Sequence, residues 1–302
     1  MAGRLAVVGV GAVGGFFAAR AAVAGADVQL CARRRFDELV VRGPDGVFRA
    51  ELPVWTRPEQ ADPVDWVLLA TKVHQNAAAL AWLRHLVGPD TIVVVAQNGV
   101  RHAERVAAVV PVDRVLPTVV YINAEPVAPG VVEHHNYGFL HVPAGALADR
   151  FAEVLPGAGL LRPVDDFAVT AWTKLTANTA ANSLTALTGR RLEVLRRADV
   201  GRLAVSIMRE AVAVAHADGA AVPADLAEVT IDRLRNQPAG SGTSMLYDRL
   251  AGRPLEHEAL IGAVVRIGAE HGVPTAVCAH ILPLLAAISD APSPLPVART
   301  DS

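Results

Sequence analysis

The chain has 302 residues, of which 52% are hydrophobic and only 5% aromatic, a balance suited to helices and buried parallel strands more than to an exposed β-sandwich. Its 28 Lys and Arg nearly match its 30 Asp and Glu, which excludes a net field that would draw nucleic acid or anionic membrane as the general partner. Two cysteines, Cys31 and Cys278, make neither a disulfide framework nor a metal knuckle, and the length favours two domains with cores of their own.

The N-terminal "RLAVVGVGAVGG" runs straight into a glycine turn and lacks the basic start, apolar core and cleavage site of a signal peptide. No later apolar run reaches bilayer length without charges, Pro or Gly, so the expectation is a soluble protein of the cytoplasm. Continued through "FFAARAAVAGADVQLCAR", the same segment spells strand, helix, strand. Gly9-x-Gly11-x-x-Gly14 falls on the first strand-to-helix turn. Gly9 permits the turn, Gly11 lets backbone approach a pyrophosphate, and Gly14 lets helix pack on strand. Ala12 and Val13 open the helix, where free N–H groups and the positive dipole end meet phosphates. The pattern predicts dinucleotide binding. At the end of the second strand an NAD site would carry an Asp or Glu for the ribose hydroxyl, whereas this chain reads Ala32, Arg33, Arg34, Arg35. Guanidinium groups suit a 2′-phosphate, so NADP is expected, with Arg33 or Arg34 as its holder; a solvated basic loop is the plain alternative.

Further strands are predicted in "DWVLLATK" (65–72) and "TIVVVAQNG" (91–99). Their carboxyl ends border the ligand crevice of a doubly wound sheet, which singles out Lys72 and Asn98; a solvated lysine and a simple turn are the competing readings. Beyond them, "GVVEHHNYGFLHVPAG" (130–145) alternates apolar and polar residues around "HNYG", which predicts an antiparallel hairpin at the sheet edge. His134, His135 and His141 lack a carboxylate or Cys at ligand spacing, so no metal site is expected there.

From about Asp165 the strand pattern gives way to amphipathic segments at 167–188, 192–218, 223–236, 241–251 and 255–272. No internal repeat stands out. The reading is an NADP-binding Rossmann-type α/β domain over 1–165, an all-α substrate or catalytic domain over 166–290, and a Pro/Ser-rich frayed tail over 291–302. In "WTKLTANTAANSLTAL" (172–187) Lys174 is the one charged residue, and Asn178 and Asn182 follow it at helical spacing. The dipole of an early helix position and apolar neighbours both favour the neutral amine, bringing it toward a range useful for proton transfer. A snorkelling surface lysine is the bland alternative, but two asparagines on its stripe argue for a hydrogen-bonding wall.

These blocks resemble the ketopantoate reductases: "GVGAVGG" at the turn, "TK" at 71–72, "QNGV" at 97–100, "WTKLTANTAANSLTALTG" at 172–189 and "SMLYDRLAGRPLEHEALIGAVVRIGAEHGVPT" at 244–275. The resemblance implies a Rossmann domain followed by a helical domain, NADPH as cofactor, and reduction of 2-dehydropantoate in pantothenate synthesis. It carries the catalytic lysine onto Lys174, the helix asparagines onto Asn178 and Asn182, the interdomain asparagine onto Asn98, the substrate-side serine onto Ser244 and the acidic partner onto Glu256. Lys72 and Arg33 match the family's cofactor-contacting basic residues. Glu256 either orients the lysine or binds a substrate hydroxyl. Ser183 stands where the family often has Pro, "NGVRHAE" lacks a second glycine, and 118–137 is distinctive, so the resemblance bears on the reaction more firmly than on the substrate. A relative acting on another small keto or hydroxy acid, and a non-catalytic NADP-binding sensor, are the rival readings. A homodimer is compatible with the apolar helices of the second half.

Overall fold

The structure, a computed structural model, describes residues 3–157 and 159–290; the tail expected at 291–302 lies outside them. The chain divides into two compact units after Thr170.

The first unit is built on a six-stranded sheet of β1 (Arg4–Val8), β2 (Asp27–Cys31), β5 (Val54–Trp55), β6 (Val64–Leu69), β7 (Val87–Val95) and β8 (Val115–Pro117). They lie in the order β5-β2-β1-β6-β7-β8 and every neighbour pair is parallel. Strands buried on both faces need continuous apolar runs, and β1, β6 and β7 supply them: Ala6, Val8, Val67, Leu69, Val93 and Val95 point into one core, while Leu5, Val7, Trp66, Leu68, Ile92 and Val94 point into the other. Helix α1 (Ala12–Val23) covers one face through Phe16 and Phe17, and α2 (Asn76–Leu86) covers the other through Ala79, Leu83 and Leu86. The predicted doubly wound α/β arrangement is what forms. Strand order reverses between β1 and β6, which puts the crevice at their carboxyl ends, beside Gly9 and Lys72.

A second sheet was not legible. Strands β3 (Leu39–Gly43), β4 (Gly46–Ala50), β9 (Val119–Ala128), β10 (Val131–Pro143) and β11 (Leu161–Val164) form it, in the order β11-β10-β3-β4 with β9 paired to β10. Helix α1 is packed between the two sheets, and α3 (Ala146–Val154) adds Phe151 to the same core. The hairpin predicted at 130–145 needs correction. "HNYG" is no turn: β10 runs through it, and the register against β9 merely shifts between His134 and Gly138. The chain reverses earlier, at Pro129 and Gly130, where Gly130 takes φ +73°. The hairpin therefore pairs β9 with β10 in the second sheet and is not an edge of the first. The three histidines also diverge: His134 is buried against Phe16, His135 is exposed beside Glu125, and His141 packs by Tyr121 and Phe139.

The second unit is helical: α4 (Phe167–Thr188), whose first four residues still belong to the first unit, α5 (Ala198–Ala217), α6 (Leu226–Arg235), α7 (Ser244–Leu250), α8 (Ile261–Glu270) and α9 (Ala276–Asp290). Asp166 starts α4 by accepting the Val169 N–H at 2.9 Å, and Gly189 ends it at φ +67°. Between these ends α4 is rich in Ala and Thr and is buried on most sides, while α5 packs against α6, α8 and α9. Helix α9 carries Pro283 in its interior and was not among the segments the periodicity picked out.

Candidate active site

In the first unit, α1 begins at Gly11 with no side chain capping it and no acidic residue in its first turn, so its leading N–H groups and dipole remain for an anion. The three glycines divide their work as the fingerprint requires. Gly9 has φ +97° and lies against Thr71; a Cβ on Gly14 would overlap the Gly9 carbonyl oxygen. A Cβ on Gly11 would meet no protein atom within 4 Å, so that position is bare on its outer side and fits close approach by a pyrophosphate. Ala12 and Val13 form the first turn behind it. Arg33, Arg34 and Arg35 are exposed just after β2, with no acidic side chain before Asp37. These residues fit a nicotinamide dinucleotide.

Lys72 follows β6 and Asn98 follows β7, both half-buried at the carboxyl ends of their strands. Between them lies a polar cluster that sequence reading passed over: Thr71, Asn76, Gln97 and Arg105 interlock through the Gln97 side chain. The only sequence signal was the polar residues closing each apolar run.

In the second unit, Lys174 stands on α4 among apolar neighbours. Its side chain keeps some solvent contact, yet the protein packed around the amine strips enough water to lower its pKa from 10.5 to about 8; the negative charge of Glu256 opposes this and raises it. Glu256 is itself buried, 6% exposed, in the segment between α7 and α8. The pair that the resemblance implied is thus brought together.

Two turns along α4, Asn182 is 3% exposed, and its side-chain oxygen accepts both the Ser244 hydroxyl and the Met245 N–H at 3.2 Å. Thr243 accepts the Leu246 N–H at 3.2 Å and lies 2.7 Å from the Thr185 hydroxyl, so α4 seats the start of α7. Asn178 lies half-buried on the stripe between Lys174 and Asn182. Trp172, two residues before Lys174 and on another face of α4, donates its indole N–H to Asp218 at 3.0 Å, which ties α4 to the end of α5.

Other chemistries find less support. Both cysteines are buried and free; burial pushes the Cys31 thiol up to about 12 and the Cys278 thiol up as well, which leaves no ready thiolate. Among the described residues there is no group of three or more His, Cys, Asp or Glu able to hold a metal, and no helix long and apolar enough to cross a membrane.

Comparison with known proteins covers both units. The family model described as ketopantoate reductase PanE/ApbA matches residues 5–146, and the model of the C-terminal part of that family matches 166–289. A 2-dehydropantoate 2-reductase of Mycobacterium tuberculosis is 41% identical over 97% of this chain and 100% of its own length. The crystal structure of a 2-dehydropantoate 2-reductase from Geobacter metallireducens, 27% identical, superposes with a TM-score of 0.85 over 94% of this chain and 99% of that one. A dimeric ketopantoate reductase from Staphylococcus aureus, 26% identical, gives 0.84 over 95% and 98%. Similarity that runs from the glycine turn through the lysine helix to the last described helix leaves one assignment: this chain belongs to the ketopantoate reductase PanE/ApbA family, oxidoreductases acting on a keto group.

Proposed function

We propose that the protein reduces the ketone of a small 2-keto acid, with 2-dehydropantoate as the favoured substrate and Lys174 as the proton donor. Residues 1–165 serve in this reading as the NADP-binding domain and 166–290 as the substrate and catalytic domain. The reading places the reaction in pantothenate synthesis, in the cytoplasm, where two buried free thiols are at home.

Bound NADPH supplies a hydride to the carbonyl carbon. Negative charge then develops on the carbonyl oxygen, and the Lys174 ammonium neutralises it and gives up its proton. The observation that carries this role is the opposition of burial and Glu256 around one amine, which leaves it near 8. An acid of that strength is charged at neutral pH and gives its proton readily to an alkoxide. Glu256 keeps the ammonium populated against its burial. Asn182 has its oxygen committed to α7 and retains amide N–H groups as donors, and Asn178 and Asn98 add neutral donors for the carboxylate. Ser244 has one proton and donates it to Asn182, so toward a substrate its oxygen is an acceptor and suits a hydroxyl group.

For the cofactor, Gly9, Gly11, Ala12, Val13 and Gly14 hold the pyrophosphate, Arg33 or Arg34 the 2′-phosphate, and Lys72 with Asn98 the end nearest the substrate. The bare outer side of Gly11 and the exposed arginines after β2 support this assignment. A homodimer is proposed by likeness to the Staphylococcus aureus enzyme, and sedimentation of the purified chain tests it.

The reaction is tested by mixing the protein with NADPH and a panel of 2-keto acids and following loss of cofactor absorbance. Turnover with 2-dehydropantoate is the expected result. Turnover with a different ketone alone makes the protein a related reductase, and tight NADPH binding without turnover makes it a sensor.

A further inference from the structure

Gln97 is 3% exposed and uses both ends of its amide. Its Nε2 donates to the Thr71 carbonyl oxygen at 3.0 Å, the Thr71 hydroxyl oxygen at 3.1 Å and Asn76 Oδ1 at 2.7 Å. Its Oε1 accepts from Arg105 at 3.3 Å, and the same guanidinium reaches the Val100 carbonyl at 3.0 Å. The Gln97 main-chain oxygen accepts from His102 Nε2 at 3.1 Å. Thr71 in turn lies on the glycine turn, since a Cβ at Gly9 would stand 2.8 Å from both Thr71 N and Cγ2.

One buried amide therefore fastens three segments to one another: the residues after β6, the start of α2, and the loop after β7 from Gln97 to Arg105. The chemistry of the position is specific. Two hydrogens face oxygens of Thr71 and Asn76, and one oxygen faces a guanidinium. A carboxylate would set oxygen against oxygen, and an apolar side chain would leave buried acceptors without donors. Lys72 is bonded to Thr71 and Asn98 to Gln97, so the backbones of both are held by this amide.

We propose that Gln97 is a positioning residue, which holds Lys72 and Asn98 against the glycine turn so that both address one bound dinucleotide. The inference rests on reading the first unit as a nicotinamide dinucleotide platform. It adds to that reading a residue that touches no cofactor and acts through its neighbours.

The test is a double-mutant cycle on the full chain with NADPH as the probe, read as Kd by fluorescence quenching, together with kcat for the keto acid and the melting temperature. Lys72→Ala weakens NADPH on the underlying reading. Gln97→Met weakens it by about tenfold, the scale of buried hydrogen bonds left unmade, and lowers kcat as Asn98 loses its place. In the Lys72→Ala background, Gln97→Met adds a smaller factor to Kd than it does in the wild type, because the part of its effect that passes through Lys72 is gone and only the part through Asn98 remains. If Gln97→Met does not fold, Asn76→Ala removes one of the three acceptors and gives the same non-additive pattern at about threefold. A lowered melting temperature with NADPH affinity unchanged, or the same factor in both backgrounds, overturns the positioning role alone. Wild-type protein that binds neither NADPH nor NADH, or Lys72→Ala without effect, overturns the dinucleotide reading and this inference with it.

Discussion

The Ser244 hydroxyl donates to the side-chain oxygen of Asn182 at 3.2 Å, and the Met245 N–H shares that oxygen at the same distance. A residue on α4 thereby accepts a further N–H from the first turn of α7, beside the Thr243 cap, so architecture and donor reside on opposite ends of one amide. Asn182→Ala removes this acceptor and is expected to cost about 1 kcal/mol of stability in a denaturant titration, with turnover lost besides. Asn182→Asp keeps the acceptor and is expected to retain the fold while turnover falls, because the amide donors are gone.

Ser244 itself has no second proton to offer. Ser244→Ala is expected to raise KM by about tenfold for a keto acid that carries a hydroxyl, and by far less for the same acid without it. Equal losses on the two substrates would contradict the acceptor role.

The pH dependence follows from Lys174. Reduction needs the ammonium, so kcat/KM is expected to fall as pH rises through about 8, while oxidation of the hydroxy acid rises over the same range. The Glu256 charge raises this pKa, so Glu256→Gln is expected to move the limb to lower pH. A limb that stays in place removes Glu256 from the lysine's surroundings. Stability has its own sign. The folded-state value of about 8 lies below the ordinary 10.5, so the unfolded chain holds more proton between them, and the contribution of Lys174 to stability rises with pH across that window. Lys174→Met should flatten that slope in urea titrations at a series of pH values.

The glycine turn gives a matched pair of variants. Gly11→Val projects into open space at φ −97°, so the protein is expected to fold and melt normally yet lose NADPH by a hundredfold or about that. Gly14→Ala collides with the Gly9 carbonyl oxygen and is expected to lower the melting temperature itself. Arg33→Ala with Arg34→Ala should weaken NADPH about tenfold or more while leaving NADH little changed. Equal effects on both cofactors would contradict a 2′-phosphate site.

Much of this was readable in the sequence where a local pattern and a chemical demand coincide. The β1–α1–β2 segment needs continuous apolar strands and three glycines, and α4 needs its polar residues four apart; both are properties of the chain alone. The second sheet was not readable, because the local hairpin of Leu39–Gly43 with Gly46–Ala50 around "GPDG" joins it only through β3, whose pairing with β10 is long-range. "HNYG" misled because turn-forming residues also suit a bulge inside a long strand, whereas "APG" at 128–130 makes the real reversal. Helix α9 was hidden by Pro283, which breaks most helices but is tolerated in this one. Gln97 closes the apolar run of its strand and is unremarkable in the sequence, since an amide shows its partners only once three distant segments are folded around it.

The proposed reduction turns on one amine, Lys174, as the proton donor. Single-turnover loss of NADPH absorbance with 2-dehydropantoate, compared between wild type and Lys174→Ala, tests it most directly, with NADPH affinity measured alongside. The expected result is a fall of about a hundredfold or more in rate with cofactor affinity unchanged, the scale of a lost general acid. A variant that oxidises NADPH at the wild-type rate would contradict it.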